Sequence, residues 1–164
     1  VEMFLPRPFK VPLIAVLLAL TFQLSWQAWR ASFVYSTDRR NPYVYAQTTP
    51  DLLNLVQRTE GIARMAPAGF ETVVKTIAPE NDYWPLPWYL RRFKHLGWYD
   101  KLPDDPYAPI VVVSSKLDAR LDDKSGRKWI MTGLTELRPG KYFELYLELE
   151  LCKKYLETLP TDRI

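Results

Sequence analysis

The segment from residue 82 to residue 93 holds the side chains best suited to recognising a ligand or a partner. Five of them are candidate binding residues: Trp84, Trp88, Tyr89, Arg91 and Arg92. Rings with a polar tip stack well on other flat groups such as sugar faces, and neighbouring arginines can hold a phosphate or pyrophosphate. A structural role is the more ordinary alternative: the prolines and tryptophans would wedge a helix against a sheet while the arginines face solvent.

The acidic and hydroxyl side chains elsewhere in the chain lack the patterns that are typical of catalytic residues. Asp104 with Asp105, and Asp122 with Asp123, lie in proline-rich or polar turns, where carboxylates are usually solvated and not buried as acid–base catalysis requires. The serines at 114 and 115 follow an apolar run but lack the glycines of a nucleophile elbow. The sequence also contains no glycine-rich phosphate loop of the common types.

His95 is the only histidine and Cys152 the only cysteine among 164 residues. A lone cysteine excludes an internal disulfide, a CxxC redox pair and a thiolate zinc site, and we expect His95 at or near the surface. No metal site and no cofactor are therefore predicted. The net charge is +3, with basic residues scattered beside acidic ones, so nucleic acid is not an expected partner.

The apolar run over residues 11–29 is the strongest signal in the chain. It carries no charge between Lys10 and Arg30, and as a helix rising about 1.5 Å per residue it would cover roughly 28 Å, close to the hydrocarbon thickness of a bilayer. Trp26, Trp29 and Arg30 are predicted to lie at the membrane interface, where indole rings are favoured. The run predicts a transmembrane helix, with the lipid bilayer as its partner.

Three other interpretations of this run compete with a transmembrane helix. A signal peptide would have a shorter apolar core and a small-residue cleavage site, which residues 28–33 match poorly. A buried core helix stays open because Gln23, Ser25 and Gln27 make the last third half-polar. An interfacial helix needs a polar face rich in lysine and arginine, which the run lacks.

The order of the remaining patterns indicates an α/β sandwich with a mixed sheet. Strands are expected over 43–47, 70–77, 110–113, 129–137 and 142–149, the third buried on both faces. The last two should form a hairpin around 138–141, with Tyr146 on its polar face. A loop is expected to begin at residue 96.

Four helices are expected after the span. The first has Thr49 as N-cap and Pro50 at its first position, and ends before Pro67. The second carries Leu90 and Phe93, and the others cover 116–121 and 151–159. The chain is thus divided into an N-terminal segment (1–10), a transmembrane helix (11–29), a connector along the membrane surface (30–42), an extracytoplasmic α/β domain (43–159) and a tail (160–164).

Four strings of residues resemble a known family. They are WQAWR at 26–30, NPYVYAQTTPD at 41–51, WPLPWYLR at 84–91 and LRPG at 137–140. In this order they resemble the C-terminal end of the flippase-activity-associated glycosylation proteins, polytopic membrane proteins related to protein mannosyltransferases. The resemblance covers roughly residues 15 to 158. It implies a last transmembrane helix and an extracytoplasmic α/β domain, and it carries no catalytic residue over, because those of the broader superfamily lie in an earlier loop.

Two functions follow as expectations. The first is a non-catalytic, single-pass accessory subunit whose domain supports a larger membrane-protein complex, which could be energy-transducing. The alternative is the C-terminal domain of a glycosyltransferase that uses a lipid-linked sugar, with Trp84, Trp88, Arg91 and Arg92 helping to hold donor or acceptor.

The resemblance also implies a location. It places the N-terminus in the cytoplasm and the domain in the periplasm, at a bacterial or archaeal cytoplasmic membrane. The basic residues on the two sides of the span are too balanced to orient it. Val1 fits either a GTG start codon or the continuation of a longer chain.

Overall fold

The structure, a computed structural model, describes residues 7–38, 40–41 and 47–159. They belong to two compact units, divided between Gln47 and Thr48. The strand expected over 43–47 lies outside the described residues apart from Gln47, and so does the tail.

The first unit is dominated by one long helix. Helix α1 spans Arg7–Trp29 and continues as a π-helical turn over Arg30–Val34, in which the Tyr35 amide donates to the Arg30 carbonyl (2.9 Å). The connector expected from residue 30 therefore begins later, because no proline or glycine interrupts the helix there. Among the described residues, one helix, Phe9–Val34, is long and apolar enough to cross a membrane, with a mean hydropathy of 1.6.

The second unit is an α/β domain, as predicted. Its described residues form a five-stranded mixed sheet in the order β2-β1-β3-β5-β4. The strands are β1 Val74–Ile77, β2 Leu96–Tyr99, β3 Ile110–Ser114, β4 Trp129–Arg138 and β5 Lys141–Glu148. The helices are α2 Asp51–Met65, α3 Leu86–Tyr89, α4 Leu121–Lys124 and α5 Leu149–Glu157. Strand β1 runs parallel to β2 and β3, whereas β5 runs antiparallel to β3 and β4.

The central strand β3 is buried on both faces because its side chains alternate between two apolar clusters. Ile110 and Val112 pack in the larger cluster, with α2 and α5. Val111 and Val113 pack in the smaller cluster on the opposite face, which includes Leu121. This confirms the prediction made for residues 110–113.

The strand β5 is more deeply buried than its pattern suggested. Tyr146 was expected on a polar face, but it is only 2% exposed and packs in the smaller cluster. Its hydroxyl donates to a Glu144 carboxylate oxygen (2.8 Å), and burial raises the pKa of Tyr146. The prediction is wrong because the second apolar cluster covers this face, and its residues come from distant parts of the chain.

Two element predictions after β1 are wrong. Residues 96–99 form the edge strand β2 and not a loop, because they pair in parallel with β1. The helix expected over 116–121 is replaced by a 3-10 turn at Ser115–Leu117 and the short helix α4. Asp118 and Arg120 have φ of 42° and 46°, a left-handed backbone that an α-helix cannot contain.

Helix α2 begins at Asp51, one residue later than predicted, with Pro50 as its N-cap residue and without the expected side-chain cap. The Thr49 hydroxyl donates to the Glu136 carbonyl on β4 and does not cap α2. The strand expected from residue 70 begins only at Val74, because Gly69–Glu71 forms a 3-10 turn. The hairpin and the closing helix α5 are confirmed, and Cys152 on α5 is buried.

Candidate functional site

The aromatic segment forms a short helical turn with an apolar inner side. Helix α3 ends at Tyr89, so the prediction of a helix that carries Leu90 and Phe93 is wrong. Leu86 in α3 and Leu90 directly after it are buried, at 0% and 1% exposure.

Trp88 is two positions from each leucine, so it points to the opposite side of the helical turn and is 61% exposed. Trp84, which precedes the helix, is 62% exposed. The wedge interpretation, which needs buried tryptophans, is therefore wrong. Leucines anchor this segment, and both indoles are left on the surface.

Arg91 extends the exposed surface beside Trp88. Its guanidinium carbon lies 4.4 Å from the centre of the Trp88 ring, and one of its nitrogens donates to the Trp88 carbonyl (3.1 Å). A cation over an indole is attracted by the ring's negative face. Tyr89 is half-buried and packs against the larger core cluster. Trp84, Trp88 and Arg91 are hereafter called the tryptophan surface.

Arg92 is held elsewhere, although it is adjacent to Arg91 in sequence. It donates to a Glu60 carboxylate oxygen on α2 (2.7 Å), and its guanidinium carbon lies 4.4 Å from the centre of the Phe70 ring. The two arginines predicted to hold one phosphate are thus engaged by different partners. Arg92 instead ties the segment after α3 to α2.

The residues predicted at a membrane interface form an aromatic stripe in the first unit. Trp26 and Trp29 stack with ring centres 5.4 Å apart, and Trp29 contacts Phe33 at 6.3 Å. Arg30 donates to the Tyr35 hydroxyl and lies 5.0 Å from the centre of that ring. Aromatic and arginine side chains with an apolar body and a polar tip suit the boundary between lipid and water.

Sequence reasoning missed an ion cluster in the second unit. Asp82 accepts hydrogen bonds from Arg138 and Lys141, at the two ends of the β4–β5 turn. Burial raises the pKa of Asp82, but Lys141 and Arg138 outweigh it and hold that pKa below its usual range. Basic residues flanking a Pro-Gly turn are visible in the sequence, but their partner Asp82 lies 56 residues before Arg138.

The other candidate residues behave as ordinary surface groups. The His95 side chain is 58% exposed, and its Nδ1 lies 2.8 Å from the Glu71 carbonyl. Asp105 forms an ion pair with Lys75, in which Oδ2 and Nζ are 3.5 Å apart. In the part of the chain that the structure describes, no group of three His, Cys, Asp or Glu side chains is arranged to hold a metal.

Comparison with protein-family models, curated proteins and solved structures found no match to this chain. The resemblance to the glycosylation proteins stays a prediction.

Proposed function

We propose that this chain is a single-pass membrane protein whose domain docks on another membrane-protein subunit through the tryptophan surface. It acts there as a non-catalytic accessory subunit. The observation that carries the proposal is the exposure of Trp84 and Trp88, each above 60%, on a segment fixed from beneath by buried leucines.

The composition and rigidity of this surface favour a protein partner. Tryptophan and arginine are enriched among the residues that dominate binding energy at protein interfaces. Pro85 and Pro87 restrict the backbone, while Leu86 and Leu90 anchor it in the core. A surface that is already ordered loses less conformational entropy when it binds.

The anchoring part of the proposal rests on α1. Its most apolar part has none of its residues buried within the structure, and such a surface is stable in lipid but not in water. Trp26, Trp29 and Arg30 at its C-terminal end suit the interface. From the resemblance, we propose a cytoplasmic N-terminus and a periplasmic domain in a bacterial or archaeal cytoplasmic membrane.

A photo-crosslinking amino acid placed at Trp88 tests the docking. In native membranes we expect one discrete adduct with a membrane protein, in a fixed ratio to the chain. The matched control is the same amino acid at Leu134, an apolar side chain on β4 that is 57% exposed. Equal adducts from both positions, or adducts with lipid alone from Trp88, would contradict the proposal.

A second candidate function is binding of a lipid-linked sugar on the same surface, as part of a glycosyltransferase. Trp88 is exposed and carries the Arg91 guanidinium over its ring. This pair favours the alternative, because an aromatic ring can stack on a sugar while arginine pairs with phosphate. Titration of the full chain with a polyprenyl-phosphate sugar tests it. Saturable binding that is lost in both Trp88→Ala and Arg91→Ala, but kept in Arg64→Ala, would favour the sugar over the subunit.

A further inference from the structure

The carboxyl ends of β1 and β3 lie next to each other at one edge of the sheet. These strands are adjacent and parallel, and the segments that follow them pack on opposite faces. After β1 the chain reaches Leu86 in the larger cluster, and after β3 it reaches Leu121 in the smaller one. α/β proteins characteristically bind ligands where the connections that follow two neighbouring parallel strands lead to opposite faces of the sheet.

Four charged side chains meet at this edge. Asp82 follows β1, and Lys116 follows β3. Arg138 and Lys141 pair across the β4–β5 turn, which lies at the same end because β5 runs antiparallel to β3 and pairs Phe143 with Ser114. The register that pairs Ser114 with Phe143 brings the segment that holds Lys116 beside the start of β5, where the charge of Lys141 lowers the pKa of Lys116.

The charged groups at this edge are unevenly paired. Asp82 is shared between Arg138 and Lys141, whereas Lys116 pairs with no carboxylate among the described residues. The neighbouring Lys141 ammonium lowers the pKa of Lys116, although the negative charges of Asp82 and Glu80 favour the protonated form of Lys116. Glu136 also lies at this turn, where its carboxylate accepts a hydrogen bond from the Gly140 amide (2.7 Å). Three carboxylates are therefore near the three cations, and Lys116 is the cation without an ion pair in the described part of the chain.

Arg138 has a hydrogen-bond donor that no described residue uses. Its Nε is buried and has no hydrogen-bond partner in the described part of the chain. A buried donor without a partner is destabilising unless a ligand or water satisfies it. Two ammonium groups side by side are also unfavourable without an anion between them.

We propose that Lys116 and Lys141, supported by Arg138, form a binding site for a phosphate group at the carboxyl edge of the sheet. An anion with two negative charges and several acceptor oxygens can accept from both ammonium groups at once. It would also relieve their mutual repulsion. The site is distinct from the tryptophan surface and independent of the function proposed for it.

Binding of inorganic phosphate and of pyrophosphate to the detergent-solubilised full chain, at constant ionic strength, tests the site by calorimetry. Lys116→Gln is the informative variant, because Lys116 is exposed and its loss breaks no ion pair in the described fold. Loss of one charge-assisted contact predicts an affinity about tenfold weaker. The control is Lys101→Gln, which removes an exposed lysine outside the cluster and should leave the affinity unchanged.

Asp82→Asn supplies a second, opposite expectation. Removing the competing carboxylate frees Arg138 and Lys141, so this variant should bind phosphate at least as tightly as the wild type under conditions where it is folded. Absence of saturable phosphate or pyrophosphate binding would overturn the proposal. Equal weakening in Lys116→Gln and Lys101→Gln would also overturn it.

The phosphate could come from solution or from a lipid headgroup. Repeating the phosphate titration in nanodiscs separates these sources. If phosphatidic acid in the nanodisc weakens the apparent affinity for free phosphate relative to pure phosphatidylcholine, the headgroup occupies the site. If the affinity is unchanged, the ligand is a soluble phosphate.

Discussion

Replacing Asp82 by Asn tests whether the ion cluster at the β4–β5 turn stabilises the domain. The Asp82 side chain is 21% exposed, and those of Arg138 and Lys141 are 18% and 34% exposed. Breaking a fully buried ion pair costs about 3–5 kcal/mol, whereas an exposed pair contributes about 0–1 kcal/mol. For this intermediate burial we expect a loss of about 2 kcal/mol in the free energy of unfolding, in the range for hydrogen bonds to charged groups.

The assay is thermal unfolding of the detergent-solubilised full chain, followed by near-ultraviolet circular dichroism. At roughly 4 °C per kcal/mol for a unit of this size, Asp82→Asn should lower Tm by about 8 °C. Asp118→Asn is the matched control, because Asp118 pairs with Arg120 in an exposed ion pair, with side chains 71% and 65% exposed. The control should leave Tm nearly unchanged.

The pH dependence gives an independent check of the same reasoning. Because the folded-state pKa of Asp82 lies below its usual value of 3.8, the unfolded state binds more protons as the pH falls toward that value. The stabilisation is therefore present above about pH 4 and is lost as the pH falls through the folded-state pKa. The difference between wild type and Asp82→Asn should shrink in that window. A difference that persists unchanged at pH 2, or a Tm equal to that of Asp118→Asn at pH 7, would refute the reasoning.

Three further predictions concern folding and orientation. Because its ring is exposed, Trp88→Ala should change the free energy of unfolding by less than about 1 kcal/mol in a denaturant titration, compared with about 3–5 for a buried aromatic; a loss in the buried range would contradict the structure. Leu90→Ala should cost about 2–5 kcal/mol in the same titration, because Leu90 is buried, and a neutral result would show that the leucines do not anchor the tryptophan surface. An impermeant thiol reagent should label Asp104→Cys in intact spheroplasts but leave the wild type unlabelled, because Cys152 is buried and burial raises its pKa; labelling only after lysis would invert the proposed topology.

Local patterns determined the elements whose signals lie within a few consecutive residues. The continuous apolar run of 110–113 requires a strand covered on both faces, and the Pro-Gly pair between two alternating segments requires a hairpin turn. Gly140 has φ of 81° there, the conformation that glycine adopts after proline in a type II turn. The apolar run of α1 likewise specifies a long helix, because no proline or glycine interrupts it from residue 13 to residue 41.

Tertiary contacts decided the features on which function depends. Trp84 and Trp88 are as apolar as the leucines beside them, and only the position of the core determines which side of a single helical turn is buried. Strand β2 exists because β1 is available to pair with it. Asp82 contacts Arg138 and Lys141 only because the carboxyl end of β1 and the β4–β5 turn lie at the same edge of the sheet. Local periodicity carries no information about such pairings, since their energies arise between residues that the chain brings together only on folding.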